Sequence, residues 1–396
     1  MAENKQNKRP NVPPLRFPEF TEPWKSSTIG ECCSSLEYGM NAAAKEFDGR
    51  NKYIRITDID ENTSTYSNQD VVSPSGVLED KYLVRENDIL FARTGASVGK
   101  TYHYDKTDGK LYFAGFLIRG GVLPCFNSKF VFFQTQLSRY KKWVTIMSAR
   151  SGQPGINSQE YESFNLFIPT RTEQNKIATF IELLDKRIAV QSKLIEDLKQ
   201  LKSALVERLY SQHNPNCRIG DLVVQVSKRN HNNNDYSVLS VNNRLGFIEQ
   251  SEQFEDRSVA SDDTSNYKVV SRDDFAYNPA RISVGSIARL TSFENGIVSP
   301  MYICFHTKKQ LLPQYLEHFF DTRYFHYEMQ KRLEGSVRLC LSWEGLCNIP
   351  LEVPSVEQQE KVSKRILRLV DKISLEERHL NLLKSQKQYL LQAMFI

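Results

Sequence analysis

Residues 177–209 read IATFIELLDKRIAVQSKLIEDLKQLKSALVERL, and residues 362–394 read VSKRILRLVDKISLEERHLNLLKSQKQYLLQAM. In the first stretch Ile177, Ile181, Leu184, Ile188, Ile195, Leu198, Leu205 and Leu209 fall at alternating steps of four and three, with the phase carried through Gln191 and Lys202. In the second, Val362, Ile366, Leu369, Ile373, Leu380, Leu383, Leu390 and Met394 repeat that phase 185 positions later. This is the a/d seam of a heptad. The polar faults repeat too, Gln191 matching Glu376 and Lys202 matching Lys387. A shared phase with shared faults marks an internal duplication. A helix of about 38 residues rises roughly 57 Å and needs a partner along its apolar stripe. The partner with the matching period is the other copy. If a two-fold axis relates the copies, the helices pair antiparallel with a globular domain at each end.

Those domains lie upstream of each helix. From Leu15 to about Pro169, strand-like runs occur at residues 52–56, 88–92 and 111–118, punctuated by Gly, Asn, Asp and Ser. A helical patch follows at residues 130–142, and the long helix opens near Thr172, just past Pro169. The second copy follows the same script: Asp274 answers Asp88, Ser283-Val284-Gly285 answers Ser97-Val98-Gly99, and Pro354 answers Pro169. Between these anchors the copies diverge. The expected fold is α+β, with two pseudo-symmetric α/β domains separated by two long antiparallel coiled-coil helices. The expected segments are a disordered leader (1–14), a first domain (15–170), a first helix (171–211), a second domain (212–355) and a second helix (356–396).

The chain has 396 residues, 40% hydrophobic and 25% charged, with a formal net charge of +5. That is an ordinary soluble composition, long enough for two or three cores. The basic excess leaves nucleic acid open without establishing it. Seven scattered cysteines form no C-x-x-C pair, and the histidines bracket no metal-like spacing. The expectation is reduced thiols, no metal and a cytoplasmic location. No apolar run is long enough to span a bilayer, so no membrane partner is expected.

Gly95-Ala96-Ser97-Val98-Gly99-Lys100-Thr101 resembles a phosphate-binding P-loop, but its spacing is one residue short and the second copy lacks the lysine. It reads better as a turn whose Arg93, Thr94, Ser97 and Lys100 could meet a phosphate backbone. Asn278-Pro279 is not followed by the proline and aromatic of an amino-methyltransferase motif, and no catalytic constellation stands out. Basic and aromatic residues interleave in matched places: Arg139, Lys141 and Lys142 beside Tyr140 and Trp143, then Arg150 and Gln153, in copy one. Copy two has Arg323 beside Tyr324 and Tyr327, then Lys331, Arg332 and Arg338, with Asn278, Arg281 and Ser283 in its loop. Lys and Arg neutralise phosphates, and Arg, Asn and Gln read base edges. These residues are the candidate DNA contacts. Two rival classes are a coiled-coil scaffold that binds only proteins and a P-loop enzyme dependent on Lys100.

The stretch Asn87-Asp88-Ile89-Leu90-Phe91-Ala92-Arg93-Thr94-Gly95, the pair Ile168-Pro169 before Glu173-Gln174, and Val353-Pro354 before Gln358-Gln359 together resemble the specificity subunits of type I restriction-modification systems, the HsdS family. The opening Val12-Pro13-Pro14-Leu15-Arg16-Phe17-Pro18 is similar as well. The resemblance implies two target-recognition domains that read the halves of a split double-stranded DNA site. It also implies two methyltransferase subunits as partners, restriction subunits in the full complex, and no catalysis or cofactor in this chain. S-adenosylmethionine, ATP and Mg are then implied for those other subunits. In copy two Asn278-Pro279-Ala280 replaces the Arg-Thr-Gly stretch, which leaves its loop contacts open.

Overall fold

A computed structural model describes residues 11–149, 153–210, 214–231, 236–243, 245–253, 263–336 and 338–396. The chain forms two compact units, one of residues up to Gln191 together with His379–Ile396, the other of Ser192–Arg378. The long helices run over Arg171–Leu209 and Val356–Ala393, and each contributes one end to each unit. In the first unit Ile177, Ala178 and Ile181 share a core with Leu390, Leu391, Met394 and Phe395. In the second, Val206 shares a core with Ile366, flanked by Leu205, Leu209, Val362 and Val370. The start of one helix meets the end of the other both times, so the pairing is antiparallel.

None of the expected seam residues is exposed. The two seam lysines are anchored by carboxylates: Lys387 Nζ lies 2.5 Å from Asp185 in the first unit, and Lys202 Nζ lies 3.0 Å from Asp321 in the second. An ammonium beside an apolar seam needs such a partner. No helix among the described residues is long and apolar enough to cross a membrane.

Each unit carries the same four-stranded antiparallel sheet. Its strands lie in the spatial order Cys33–Tyr38, Leu117–Val122, Asp88–Ala92, Thr101–His103 in the first unit, and Val223–Val226, Ile303–Thr307, Phe275–Tyr277, Ile287–Arg289 in the second. The register repeats. Ile89 faces Gly120 and His103, and Phe275 faces Phe305 and Arg289. The turn entering the central strand repeats as well. Asn87 and Asp273 both take φ 70°, and the next residue's carboxylate accepts a backbone N–H at 2.7 Å, from Arg85 to Asp88 and from Ser271 to Asp274. Burial pushes the Asp88 carboxyl up to about 6 and shifts Asp274 in the same direction. The units differ in what is added. The second has another four-stranded sheet built around Val238–Asn242 and Asn295–Val298, where the first has two separate strand pairs.

Three expectations need correction. Residues 11–14 were expected to belong to a disordered leader, but the Asn11 carbonyl accepts from Trp24 N at 2.9 Å and Pro13 is buried; residues 1–10 lie outside the described residues. The run 111–118 is not one strand. Leu111–Phe113 and Leu117–Val122 are separated by a turn in which Leu117 N donates to Ala114 O at 2.8 Å. The segment around Gly39 crosses there so closely that a Cβ on Gly39 would sit 2.2 Å from Ala114 O. The helical patch at 130–142 is two helices, Ser128–Gln134 and Ser138–Met147, because the Thr135 hydroxyl closes the first onto Phe132 O at 2.7 Å and Leu137 is extended.

The Glu-Gln motif joins domain to helix. Gln174 accepts from Asn127 N at 2.9 Å and donates to Pro169 O at 3.0 Å. Its counterpart Gln359 accepts from Leu312 N at 2.8 Å and donates to Pro354 O at 2.9 Å. Both glutamines are buried. Gln174→Leu keeps the volume and strands a buried donor and a buried acceptor, so it should destabilise the chain by about 2–4 kcal/mol. Denaturant unfolding of the variant checks this, and a loss under about 0.5 kcal/mol would assign the motif another role.

Candidate nucleic-acid interface

The loop after the central strand of each sheet is built from backbone bonds that leave its side chains projecting. In the first unit Gly95 N donates to Pro154 O, Val98 N to Gly95 O, Gly99 N to Ala92 O and Lys100 N to Ser97 O, all at 2.9–3.1 Å. Amides so engaged cannot cradle a phosphate, which removes the P-loop reading. The loop is tight enough to need glycine. Gly99 has φ 85°, and a Cβ on it would meet Val144 Cγ1 at 2.4 Å, on the helix behind. In the second unit the helix Arg323–Gln330 likewise backs the turn Ile282–Val284.

Around the first loop, four distant segments converge. Arg93 N donates to Phe116 O at 3.0 Å, and its Nη1 donates to Gly115 O at 3.3 Å. Its guanidinium stacks on the Tyr38 ring with 4.8 Å to the centroid. The Tyr38 hydroxyl accepts from Ser158 N at 3.2 Å. Thr94 bridges to Gly155, and exposed Gln153 lies over Gly95. Arg93, Thr94 and Gln153 are therefore brought together, with Tyr38 and Phe116 beside them, both substantially exposed. Ser97 is buried beneath the loop. Lys100 Nζ turns towards Glu61, 3.7 Å away.

The second loop is its counterpart. Leu341 N donates to Pro279 O at 3.1 Å, as Ile156 N donates to Arg93 O at 2.9 Å. Pro279 thus occupies the place of Arg93, and the second unit has no guanidinium there. Asn278 Nδ2 approaches Met301 Sδ at 3.6 Å, while Arg281 and Ser283 project from the loop, both exposed. Exposed Arg338 lies in the connection leading to Cys340–Leu341, whose Leu341 holds the loop.

The basic-aromatic stretches divide. Arg139 is taken up by the fold: it packs over the rings of Phe164 and Phe167 at 5.4 and 5.2 Å and donates to Gln134 at 2.6 Å. Burial pulls its pKa down to about 10. Lys331 and Arg332 both pair with Glu328, at 2.7 and 2.6 Å. Lys141, Lys142 and Arg323 are exposed. Arg150 lies outside the described residues. Tyr38, Phe116 and Met301 were not among the sequence candidates: reading residues 111–118 as one strand hides the turn that exposes Phe116, and Tyr38 and Met301 reach the loops only through contacts with Arg93 and Asn278 distant in the chain.

Residues 21–200 match the type I restriction modification DNA specificity domain. The match takes in the first domain and most of the first long helix. The fold is similar to the solved S subunit of a type I restriction-modification system from M. genitalium, at 15% identity, with 97% of this chain and 99% of that one covered and a TM-score of 0.59. A structure solved in work on complex assembly and conformational transition of the type I R-M system matches at 14% identity, covering 95% and 97%, with a TM-score of 0.57. The HsdS subunit from Thermoanaerobacter tengcongensis matches at 14% identity over 96% and 98%, with a TM-score of 0.49.

Proposed function

We propose that this chain is the non-catalytic DNA-reading subunit of a type I restriction-modification complex, each recognition domain reading one half of a bipartite duplex site. The observation that carries the reading is the repeated loop: three backbone bonds recur in both units, Ala92 N to Lys100 O as Asn278 N to Ser286 O, Val98 N to Gly95 O as Val284 N to Arg281 O, and Ile156 N to Arg93 O as Leu341 N to Pro279 O, while its projecting side chains differ, Arg93 standing where the other unit has Pro279. A common frame with different projecting groups suits two readers of different half-sites. The helices set the unread gap and dock two methyltransferase subunits, which bring S-adenosylmethionine for adenine methylation. Restriction subunits, with ATP and Mg, complete the complex.

The helices have a surface suited to docking. With the seam at heptad positions a and d, Leu183 and Val190 of the first helix and Leu382 and Tyr389 of the second all fall at c, and all four are exposed in the first unit. In the second unit Leu375 at c, and Leu194 and Leu201 at the adjacent g positions, are exposed. Within each unit the antiparallel pairing places the same flank of both helix ends on one side. Such a stripe of exposed apolar residues marks a protein contact.

Methylome sequencing of a host carrying the chain with its partner genes tests the reading directly: a split motif with two dissimilar halves is expected, and a continuous motif would sink it. Arg93, absent from the second unit, is expected to read a base rather than hold a phosphate common to both. Arg93→Ala should cost about 1–3 kcal/mol at one base position. The salt dependence should change by less than about one unit of slope. Uniform weakening on all duplexes with a full unit of slope lost would make it a phosphate contact instead.

A further inference from the structure

Beside each loop the chain makes a second matched turn. Leu117 N donates to Ala114 O at 2.8 Å, and 185 positions later Tyr302 N donates to Ser299 O at 3.0 Å. The third residue of each turn is a large apolar side chain left in water: Phe116 at 59% exposure and Met301 at 61%. The residue that follows, Leu117 or Tyr302, is buried, so the turn itself is anchored and only its tip projects. Both tips adjoin the loop already described, Phe116 through its carbonyl to Arg93 N and Met301 through its sulfur to Asn278. Scattered exposed apolar residues are ordinary. The same turn exposing a large one at the same position in two diverged copies, Phe116 beside part-exposed Arg93 and Met301 against the loop that carries exposed Arg281, is not scatter.

We propose that Phe116 and Met301 are specificity-determining residues, each making an apolar contact to the bases of the half-site its own domain reads. This rests on the DNA-recognition reading above. Their chemistry fits the apolar features that bases offer, the thymine methyl in the major groove or the face of a base at an opened step. Their difference in kind, a rigid ring against a flexible thioether, fits half-sites of different sequence. The neighbouring Arg93 and Arg281 supply the positive charge that holds such a tip against a duplex.

The test uses the chain assembled with its methyltransferase subunits, as wild type, Phe116→Ala, Phe116→Leu and Met301→Ala. Methylomes define the two half-sites, and binding is then measured on cognate duplexes carrying each single-base substitution. Phe116→Ala should lose about tenfold in discrimination at one position of one half-site and leave the other unchanged, the scale of a lost contact of one to two methylene groups. Phe116→Leu should retain part of it, and Met301→Ala should act on the opposite half-site. Replacing thymine by deoxyuracil at the affected position weakens the wild type but not Phe116→Ala if the methyl is touched. A 2-aminopurine signal that rises only in the wild type marks an opened step. Unchanged base preference in both alanine variants overturns the inference. So does weakening that is equal on all duplexes and accompanied by loss of subunit assembly, which would make the tips a protein contact. A wild-type complex with no site preference overturns the DNA-recognition reading itself, and this inference falls with it.

Discussion

Exchanging residues 15–169 for the corresponding domain of a relative is expected to replace one half of the methylated site completely, leaving the other half and the gap as they were. The first domain is suited to exchange because its cores are largely built from its own residues. Its sheet packs on its own helices, and its outer strand pairs enclose separate small cores around Leu90 and Phe113 and around Tyr53 and Tyr112. The exchange has one structural condition. The domain also seats the end of the second long helix: Leu15 N donates to Ala393 O at 2.8 Å, and Phe395 packs against Trp24 and Phe130 with ring centroids 6.2 and 5.1 Å away. A donor domain that keeps aromatic residues at these two places should transfer its half-site intact. Methylome sequencing reads the outcome, and a change in both halves would contradict the modular reading.

Arg16→Met is expected to destabilise the chain more than any other single change discussed, by about 3–5 kcal/mol. Glu173 is 1% exposed, and Arg16 holds it with two hydrogen bonds of 2.7 Å, from Nε and Nη2, aided by Trp24 Nε1 at 3.2 Å. Removing the guanidinium leaves a buried carboxylate with one neutral donor. The cost should be that of the stranded charge rather than of a lost attraction, so the double variant Arg16→Met with Glu173→Leu should recover most of the stability. Denaturant unfolding of the two singles and the double forms the cycle. If the double variant is no more stable than Arg16→Met alone, the packing of the Arg16 stem, and not the charge, fastens this segment.

The heptad pattern established the duplication and the two helices, and pointed to antiparallel pairing on the condition of a two-fold relation, which the shared cores bear out within each unit. Heptad spacing is a local code, and a stripe of that length admits only a partner of the same period. The sequence also marked Asp88 with Asp274, and Glu173-Gln174 with Gln358-Gln359, as matched anchors, and the structure gives them their roles in a turn and at the domain–helix junction. The tertiary structure decided which charged and apolar side chains remain free. Arg93 and Arg139 look alike in the sequence, yet one stacks on exposed Tyr38 at the loop while the other packs over two core rings. Lys331 and Arg332 read as free cations in the sequence, yet both pair with Glu328. Phe116 looked like a strand residue until the crossing at Gly39 forced a turn beneath it. In each case the deciding neighbour lies in another segment of the folded chain, except Glu328, whose pairing depends on the helix geometry that places it three and four residues away. Burial and pairing depend on such neighbours, and spacing along the sequence alone does not specify them.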